Sequence, residues 1–480
     1  MNSWRARPSA WPACVALCGI VLASCAPDLG PRPPIPSAAQ FETKASLPAG
    51  AQSWPGDGWW RAFGDPQLDR LIDEALANSP SMAQAAARID LARSQAIGAR
   101  AALLPEAGAL GTVRATRITQ NLGLPSNGEW NWLGAGLLSG SYEIDFWGKN
   151  RAALKAATSE EKAAAADAAA ARLTLAAQVA SAYADFARLE VNRDLAASAL
   201  QIHIQTRDLV NRRLQAGTAP KQALEQAESG VQAAGTQLQS VDEAIVLARH
   251  MIAALVGAGP DRGDRLALPA LANRRSPGLP ADLPLALVGR KPELVAARWR
   301  AEAASQRIHH AKAAYYPNVN LSAVFGVVSL GLDRLFEDRS ELGSVGPAIS
   351  VPIFDGGHLE AGVRGARGEY DLAVASYREV LLQSLKSAAD AVASLKALQG
   401  ESQAAEAAEA RAQSAYDLAK LRYEGGLADY DSVLISQNAL IATRDEAASL
   451  RLRGFQLDIA LADALGGGFS GATPDQSVSQ

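Results

Sequence analysis

The stretch LTLAAQVASAYADFARLE, residues 173–190, decides the fold. Leu175, Val179, Ala182, Phe186 and Leu189 recur at spacings of 4-3-4-3, the seam of a coiled coil. The many alanines favour helix and let a neighbouring helix approach closely. The stretch lies in a run without proline from Lys149 to Gln215. At 1.5 Å per residue that run is a rod of roughly 100 Å. No compact domain accommodates such a helix, so it must project or line something long. Leu381, Leu385, Ala388, Val392 and Leu395 repeat the spacing further on.

That repetition belongs to a duplication of the chain. Asn78-Ser79-Pro80 recurs as Arg290-Lys291-Pro292, and Ala99-Arg100-Ala101-Ala102 with Pro105 recurs as Ala311-Lys312-Ala313-Ala314 with Pro317. Both lie at an offset of 212. Phe146-Trp147-Gly148 answers Phe354-Asp355-Gly356 at offset 208. Arg213 and Gly217 answer Arg422 and Gly426, and Val256-Gly257 answers Leu465-Gly466, at 209. Small drifts of this kind are what loop insertions and deletions leave in a repeat. Each half reads as a helix (about 66–103; 283–314), two short strands, and a very long helical stretch with one sharp turn near Gly217 or Gly426.

The strands show period two. In 131–146, Trp132, Leu138, Tyr142, Ile144 and Phe146 oppose Asn131, Ser139, Ser141, Glu143 and Asp145. In 318–325, Val319, Leu321, Ala323 and Phe325 oppose Asn318, Asn320 and Ser322. In 344–353, Val345, Ile349, Val351 and Ile353 alternate with small or polar residues, and 106–116 alternates more weakly. Such segments suit either a soluble sheet with one buried face or a membrane barrel with an apolar outside and a polar lumen. Four strands cannot sit in lipid with bare edges, and barrels need about eight or more. If these strands cross a membrane, several chains share one barrel, and three copies give twelve strands. The reading is a conduit built by oligomerisation.

The start of the chain carries an export signal. Arg5 and Arg7 precede an apolar stretch from Ala13 to Ala23, and Leu22-Ala23-Ser24-Cys25 ends it. That stretch is too short to span a bilayer and fits a signal peptide. It resembles a lipoprotein signal, cleaved before Cys25 so that the thiol carries acyl chains; an ordinary secretory signal with an incidental cysteine is the alternative. Cys14 and Cys18 leave with the signal, so no disulfide framework is expected. Ala26 resembles the following residue of lipoproteins sent to the outer membrane. Pro27, Pro31, Pro33, Pro34 and Pro36 make an extended linker. The expected divisions are 1–24 signal, 25–58 anchor and linker, 59–270 first repeat, 271–468 second repeat and 469–480 a disordered tail. The net charge is −4, and loss of two arginines makes it −6, so nothing suggests a nucleic-acid surface. Beyond Cys25 no uncharged apolar run reaches the length of a transmembrane helix.

With these residues in view, the chain resembles the outer-membrane efflux protein family, the TolC-like channels, and within it the lipoprotein branch serving resistance-nodulation-division pumps. Residues 59–72, WWRAFGDPQLDRLI, are similar to the family's opening. Residues 141–148, SYEIDFWG, resemble its strand end. Arg290-Lys291-Pro292-Glu293-Leu294 and Pro352-Ile353-Phe354-Asp355-Gly356-Gly357 match two further motifs in order. The resemblance implies a homotrimer, mainly α, in which a 12-stranded β-barrel crosses the outer membrane and a coiled-coil helical barrel crosses the periplasm. It implies a passive duct for drugs or other small toxic compounds, fed by an inner-membrane pump through a periplasmic adaptor. The exit channel of a type I protein secretion system and a structural coiled-coil envelope lipoprotein stand as alternatives.

The same resemblance assigns the sites. The turns Arg213 to Pro220 and Arg422 to Tyr430 both carry R-x-x-x-G, so Arg213, Gly217, Arg422 and Gly426 are the adaptor-docking candidates. Asp429, Tyr430 and Asp431 are the gate candidates, because three symmetry-related aspartates in a confined pore hold counter-ions. Capping of the following helix is the alternative for these acids. Trp132, Tyr142 and Trp147 are expected either at membrane interfaces or, for Trp147, against the waist. No enzyme, cofactor or metal site is expected. His203, His250, His309, His310 and His358 fall in no metal-binding spacing. Gly466-Gly467-Gly468 follows a helix and carries no lysine, so it reads as a helix stop.

Overall fold

The computed structural model describes residues 29–43, 45–47, 53–117, 119, 129–271 and 283–471. Cys25 and the signal lie outside the described residues. In chain order the elements are α1 (Pro66–Asn78), α2 (Pro80–Ala101), β1 (Glu106–Arg117), β2 (Trp130–Glu143), α3 (Lys149–Gln215), α4 (Lys221–Leu255), α5 (Leu283–Arg290), α6 (Pro292–Ala313), β3 (Asn318–Leu330), β4 (Glu341–Ser350), α7 (His358–Glu424) and α8 (Tyr430–Ala464).

The duplication holds in the backbone. α3 and α7 are both 67 residues long, and α4 and α8 are both 35. At 1.5 Å per residue the longer pair run about 100 Å. The offset is 212 at α2/α6, whose starts are Pro80 and Pro292, and 209 from the starts of α3 and α7 onward, at Lys149 and His358. Gly148 therefore answers Gly357 rather than Gly356, because these two glycines occupy the same left-handed position before the long helix (φ 76° and 92°). The expected single helices at 66–103 and 283–314 are each two. Ser79 and Lys291 are extended, since a residue before proline is driven out of the α region.

The four strands form one antiparallel sheet in the order β1-β2-β3-β4. Residues directly opposite share a face. Leu138 pairs with Ala109 and Phe325, Tyr142 with Leu321, and Val319 with Ile349, so the apolar sets read from the sequence lie on one face. Ser141 pairs with Glu106 and Ser322, and Glu143 with Asn320, on the other. β2 and β4 stop earlier than expected, at Glu143 and Ser350, because the turns into the long helices begin there. Among the described residues, β1 and β4 have no partner strand on their outer edges.

The main core lies where α1 and the Trp59–Phe63 turn pack on α3, α4 and α8, with Leu71, Ile72, Val179, Phe186 and Ile459 buried together. Asp65 organises this corner. One carboxylate oxygen caps α1 by accepting from Gln67 N (2.9 Å). The other accepts from Tyr183 Oη (2.7 Å) and Ala270 N (2.8 Å). The D-P of the opening motif thus ties α1, α3 and the segment leaving the first repeat to one buried carboxylate. Burial, aided by Asp65, pushes the Tyr183 phenol up, so it stays a donor.

The N-terminal segment lies along α7. Arg367 donates to the carbonyls of Gly30 and Pro31, Tyr370 Oη donates to the Pro33 carbonyl (3.0 Å), and Ala38 packs with Tyr377 and Leu381. As the chain advances it moves away from the α7 start, so its earlier end points toward the sheet.

Candidate functional site

The strand-to-helix junctions join sheet and rods. After β2, Gly148 turns the chain and Asp145 accepts from Arg151 N (2.8 Å) and pairs with the Arg151 guanidinium. Partial burial pushes the Asp145 carboxyl up, but these hydrogen bonds outweigh it and hold the group below its ordinary range. After β4, Asp355 accepts from Gly357 N (3.0 Å) and Leu359 N (2.6 Å), and these bonds also lower its pKa. Both halves thus use a carboxylate on the first N–H groups of the long helix, which no intrahelical carbonyl can reach. Trp147 stacks on Tyr316 at 4.6 Å and donates to the Pro317 carbonyl (2.9 Å), contacts that fix its ring at the strand-to-helix junction. Of the adjacent histidines, His309 is exposed and His310 Nδ1 is bonded to the Lys149 carbonyl (3.0 Å).

At the far ends the hairpins turn through matching geometry. Gly217 N donates to Leu214 O (2.9 Å) and Thr218 N to Arg213 O (2.8 Å). Gly426 N donates to Tyr423 O (3.0 Å) and Leu427 N to Arg422 O (2.8 Å). This pattern needs a left-handed residue, and Gly217 (φ 70°) and Gly426 (φ 74°) supply it. The R-x-x-x-G spacing places each arginine at the first carbonyl the turn must satisfy.

The two arginines then diverge. Arg213 reaches from α3 to the end of α7, donates to the Tyr423 carbonyl (2.5 Å) and lies 4.3 Å over the Tyr423 ring. A cation at a helix C-terminus and over an aromatic face is favoured on both counts. Arg422 is exposed on α7, and among the described residues its side chain has no hydrogen-bond or ion-pair partner. The gate candidates separate as well. Asp429 caps α8, accepting from Ser432 N (3.1 Å) and Ser432 Oγ (2.7 Å), and those bonds hold its carboxyl low. Tyr430 is buried against Tyr423 and Val433, and Asp431 is exposed.

Sequence reasoning missed the packing that joins the hairpins, in which the gate candidate Tyr430 takes part. Tyr416, Tyr423 and Tyr430 pack on Val210, Ala223 and Ala227. Thr206 and Gln437, both buried, meet at 3.1 Å. The 7-residue spacing of the tyrosines was the available signal. Among the described residues no cluster of His, Cys, Asp or Glu is arranged to hold a metal, and no helix is long and apolar enough to cross a membrane.

Comparison with known proteins agrees with this architecture. The outer membrane efflux protein family pattern matches residues 71–258 and 283–467, one block in each repeat. The fusaric acid resistance protein FusA of Burkholderia cepacia is 38% identical over 358 residues, 71% of this chain and 66% of that one. The pyoverdine export outer membrane protein OpmQ of Pseudomonas putida is 30% identical across 93% of this chain and 94% of its own. The crystal structure of the outer membrane protein VceC from Vibrio cholerae, 39% identical, superposes with a TM-score of 0.82 over 87% of this chain and all of that one. Open-edged sheet, paired 100 Å hairpins and glycine-turned tips are therefore read with a family attached: the chain belongs to the outer membrane efflux protein family.

Proposed function

We propose that this chain is one protomer of a trimeric exit duct in a tripartite efflux system, passing small toxic organic molecules from an inner-membrane pump to the outside. The observation that carries the reading is the four-stranded sheet with two bare edges above two equal hairpins. A lone sheet of this kind leaves backbone groups unsatisfied in lipid, and pairing β4 with β1 of the next copy removes both edges at once. The helices support the same assembly. On α7, Leu372 and Leu382 are 69% and 43% exposed, whereas their first-half counterparts Ala163 and Leu173 are buried. Fusaric acid resistance and pyoverdine export, named for two relatives, agree with small organic cargo.

A lipid anchor at Cys25 suits the N-terminal segment. From Gly30 at the level of Arg367, five residues reach back at most about 17 Å. The α7 start lies about 14 Å away along the helix axis, so the cysteine has chain enough to reach the membrane rim. Asp429 and Asp431 sit at the tip and would form rings of carboxylates around a closed pore, a candidate gate for which Asp429's capping bonds fix the position. Arg213, Gly217, Arg422 and Gly426 form the turns on which a periplasmic adaptor would dock. The pump partner is then of the proton-driven resistance-nodulation-division class.

The test is photo-crosslinking in cells from Ala219 or Leu427, followed by mass spectrometry of captured partners. Capture of a periplasmic adaptor with a proton-driven pump is expected. Capture of an ABC exporter's adaptor instead would move the function to protein secretion, and no adaptor at either tip would return it to a structural envelope lipoprotein.

A further inference from the structure

One face of the sheet changes character along its height. Residues opposite one another in neighbouring strands form rows, and every second row, about 7 Å further along, falls on the same face. On the face of Ser141 and Glu143, the rows nearer the helices are polar: Glu106 with Ser141 and Ser322, then Ser139 with Ser344 beyond Val324. The next row is Leu110, Leu137, Gly326 and Leu342. Two rows beyond it, at the end remote from the helices, come Arg114, Leu133 and Leu330. Leu133 and Leu137 thus break the alternation of β2, and toward this end both faces are apolar. Among the described residues none of these leucines is buried, and Leu110 and Leu342 are 57% and 47% exposed. The β3–β4 loop does not cover them, since its Leu332 and Leu335 lie against Gly134, on the Trp132 face. Arg114 is exposed, and among the described residues its guanidinium has no hydrogen-bond or ion-pair partner. Of the basic side chains in the strands, it alone lies on this face.

We propose that Arg114 and the leucines beside it form a luminal binding site for organic anions with an apolar body, an aromatic or alkyl carboxylate or sulfonate. The inference rests on the trimeric reading above, which turns this face to the lumen, and adds which cargo the wall holds on its way out. Charge complementarity selects the anion, because an uncompensated guanidinium matches two oxygens of a carboxylate or sulfonate. The leucines select the body. Leu133 stands directly beside Arg114, and Leu110 and Leu137 follow about 13 Å nearer the helices. A ring system tethered by its acid group lies along this strip and removes apolar surface from water. A hydrophilic anion gains only the first contact, and an apolar cation only the second. The strip is open and shallow, so cargo is held weakly enough to leave, as conduction requires.

The experiment uses the purified full chain in lipid nanodiscs. Analytical ultracentrifugation should find the trimer, and a charged, membrane-impermeant maleimide should label Leu110→Cys but not Leu138→Cys. A monomer, or the reverse labelling, would sink the trimeric reading itself. With both results in place, equilibrium dialysis against naphthalenesulfonate, corrected for empty nanodiscs, should show saturable binding. Arg114→Gln and Leu137→Ser should each weaken that binding about fivefold, and Arg114→Lys by less. Methanesulfonate, which has the charge without the rings, should not compete at the same concentration. Binding unchanged in Arg114→Gln or in Leu137→Ser, or competition by methanesulfonate, would overturn the proposal and leave the trimer standing.

Discussion

The two halves have the same backbone and different ends. Their long helices agree in length, and both turn at a left-handed glycine. The first half is closed at its head by Asp65, whose carboxylate gathers α1, α3 and the exit segment. At α6 the second half instead buries Lys291 beside the half-buried Glu293 and Asp463, where the first has Ser79, Ser81 and Ala254. At the tips the order reverses: α4 begins at Pro220 without a side-chain cap, while α8 begins at Asp429 with one. Duplication has kept the spacing that lets a wall of helices close, and chemistry has diverged wherever a half meets something other than its twin.

The largest effect that would break this comparison is at Asp65. Asp65→Ala removes a cap and two further hydrogen bonds from a buried carboxylate, and should lower stability by about 3 kcal/mol. Chemical denaturation checks it, and a loss under 1 kcal/mol would mean that the head is not specially fastened. Next come the turns. Gly217→Ala and Gly426→Ala meet no steric obstacle within 4 Å, so each should cost only the left-handed penalty, about 1–2 kcal/mol, and the two should match. Unequal losses would show that the tips differ in backbone and not only in side chains. Arg213→Ala should cost about 1 kcal/mol and loosen the tip, whereas Arg422→Ala should leave the isolated chain's stability unchanged.

Two smaller effects concern charge. Burial raises the Glu293 and Asp463 carboxyls, while Lys291 pulls both back. A raised folded pKa gives stability that is present below the unfolded values of 4.5 and 3.8 and lost as pH rises through the folded ones. The melting temperature should therefore rise as pH falls from neutrality toward those values, and Asp463→Asn should flatten the slope. At the tip, Asp429→Asn keeps a capping oxygen and removes the charge. Combined with Asp431→Asn it should increase closed-state leak in planar bilayers, and unchanged conductance would leave Asp429 as a cap alone.

Much of this was legible before the structure. The heptad spacing around Phe186, the alternation around Leu138 and Phe325, and the repeat offsets are local or periodic signals, and a periodic signal survives in one dimension. The break at Ser79-Pro80 was misread, because alanine-rich flanks masked the backbone rule that proline imposes on its predecessor. Gly148 was matched one residue short of Gly357, since Phe-x-Gly recurs in both halves while the helix start is set by which glycine takes the left-handed turn. The Asp65–Tyr183 bond spans 118 residues and the Arg213–Tyr423 contact 210. Contacts that distant leave no spacing to read. Tyr423 looked like one aromatic among several, and only the packing made it the surface on which Arg213 rests.

The equal lengths of α3 and α7, 67 residues each, make length a shared character of the molecule. Deleting one residue from either helix would draw its tip back by about 1.5 Å and turn every later side chain by about 100°. The four helices of the two hairpins behave like the legs of a table. None can be shortened alone without tilting the end that a partner must sit on, so changes in reach have to arrive in matched sets, in both halves of the same gene.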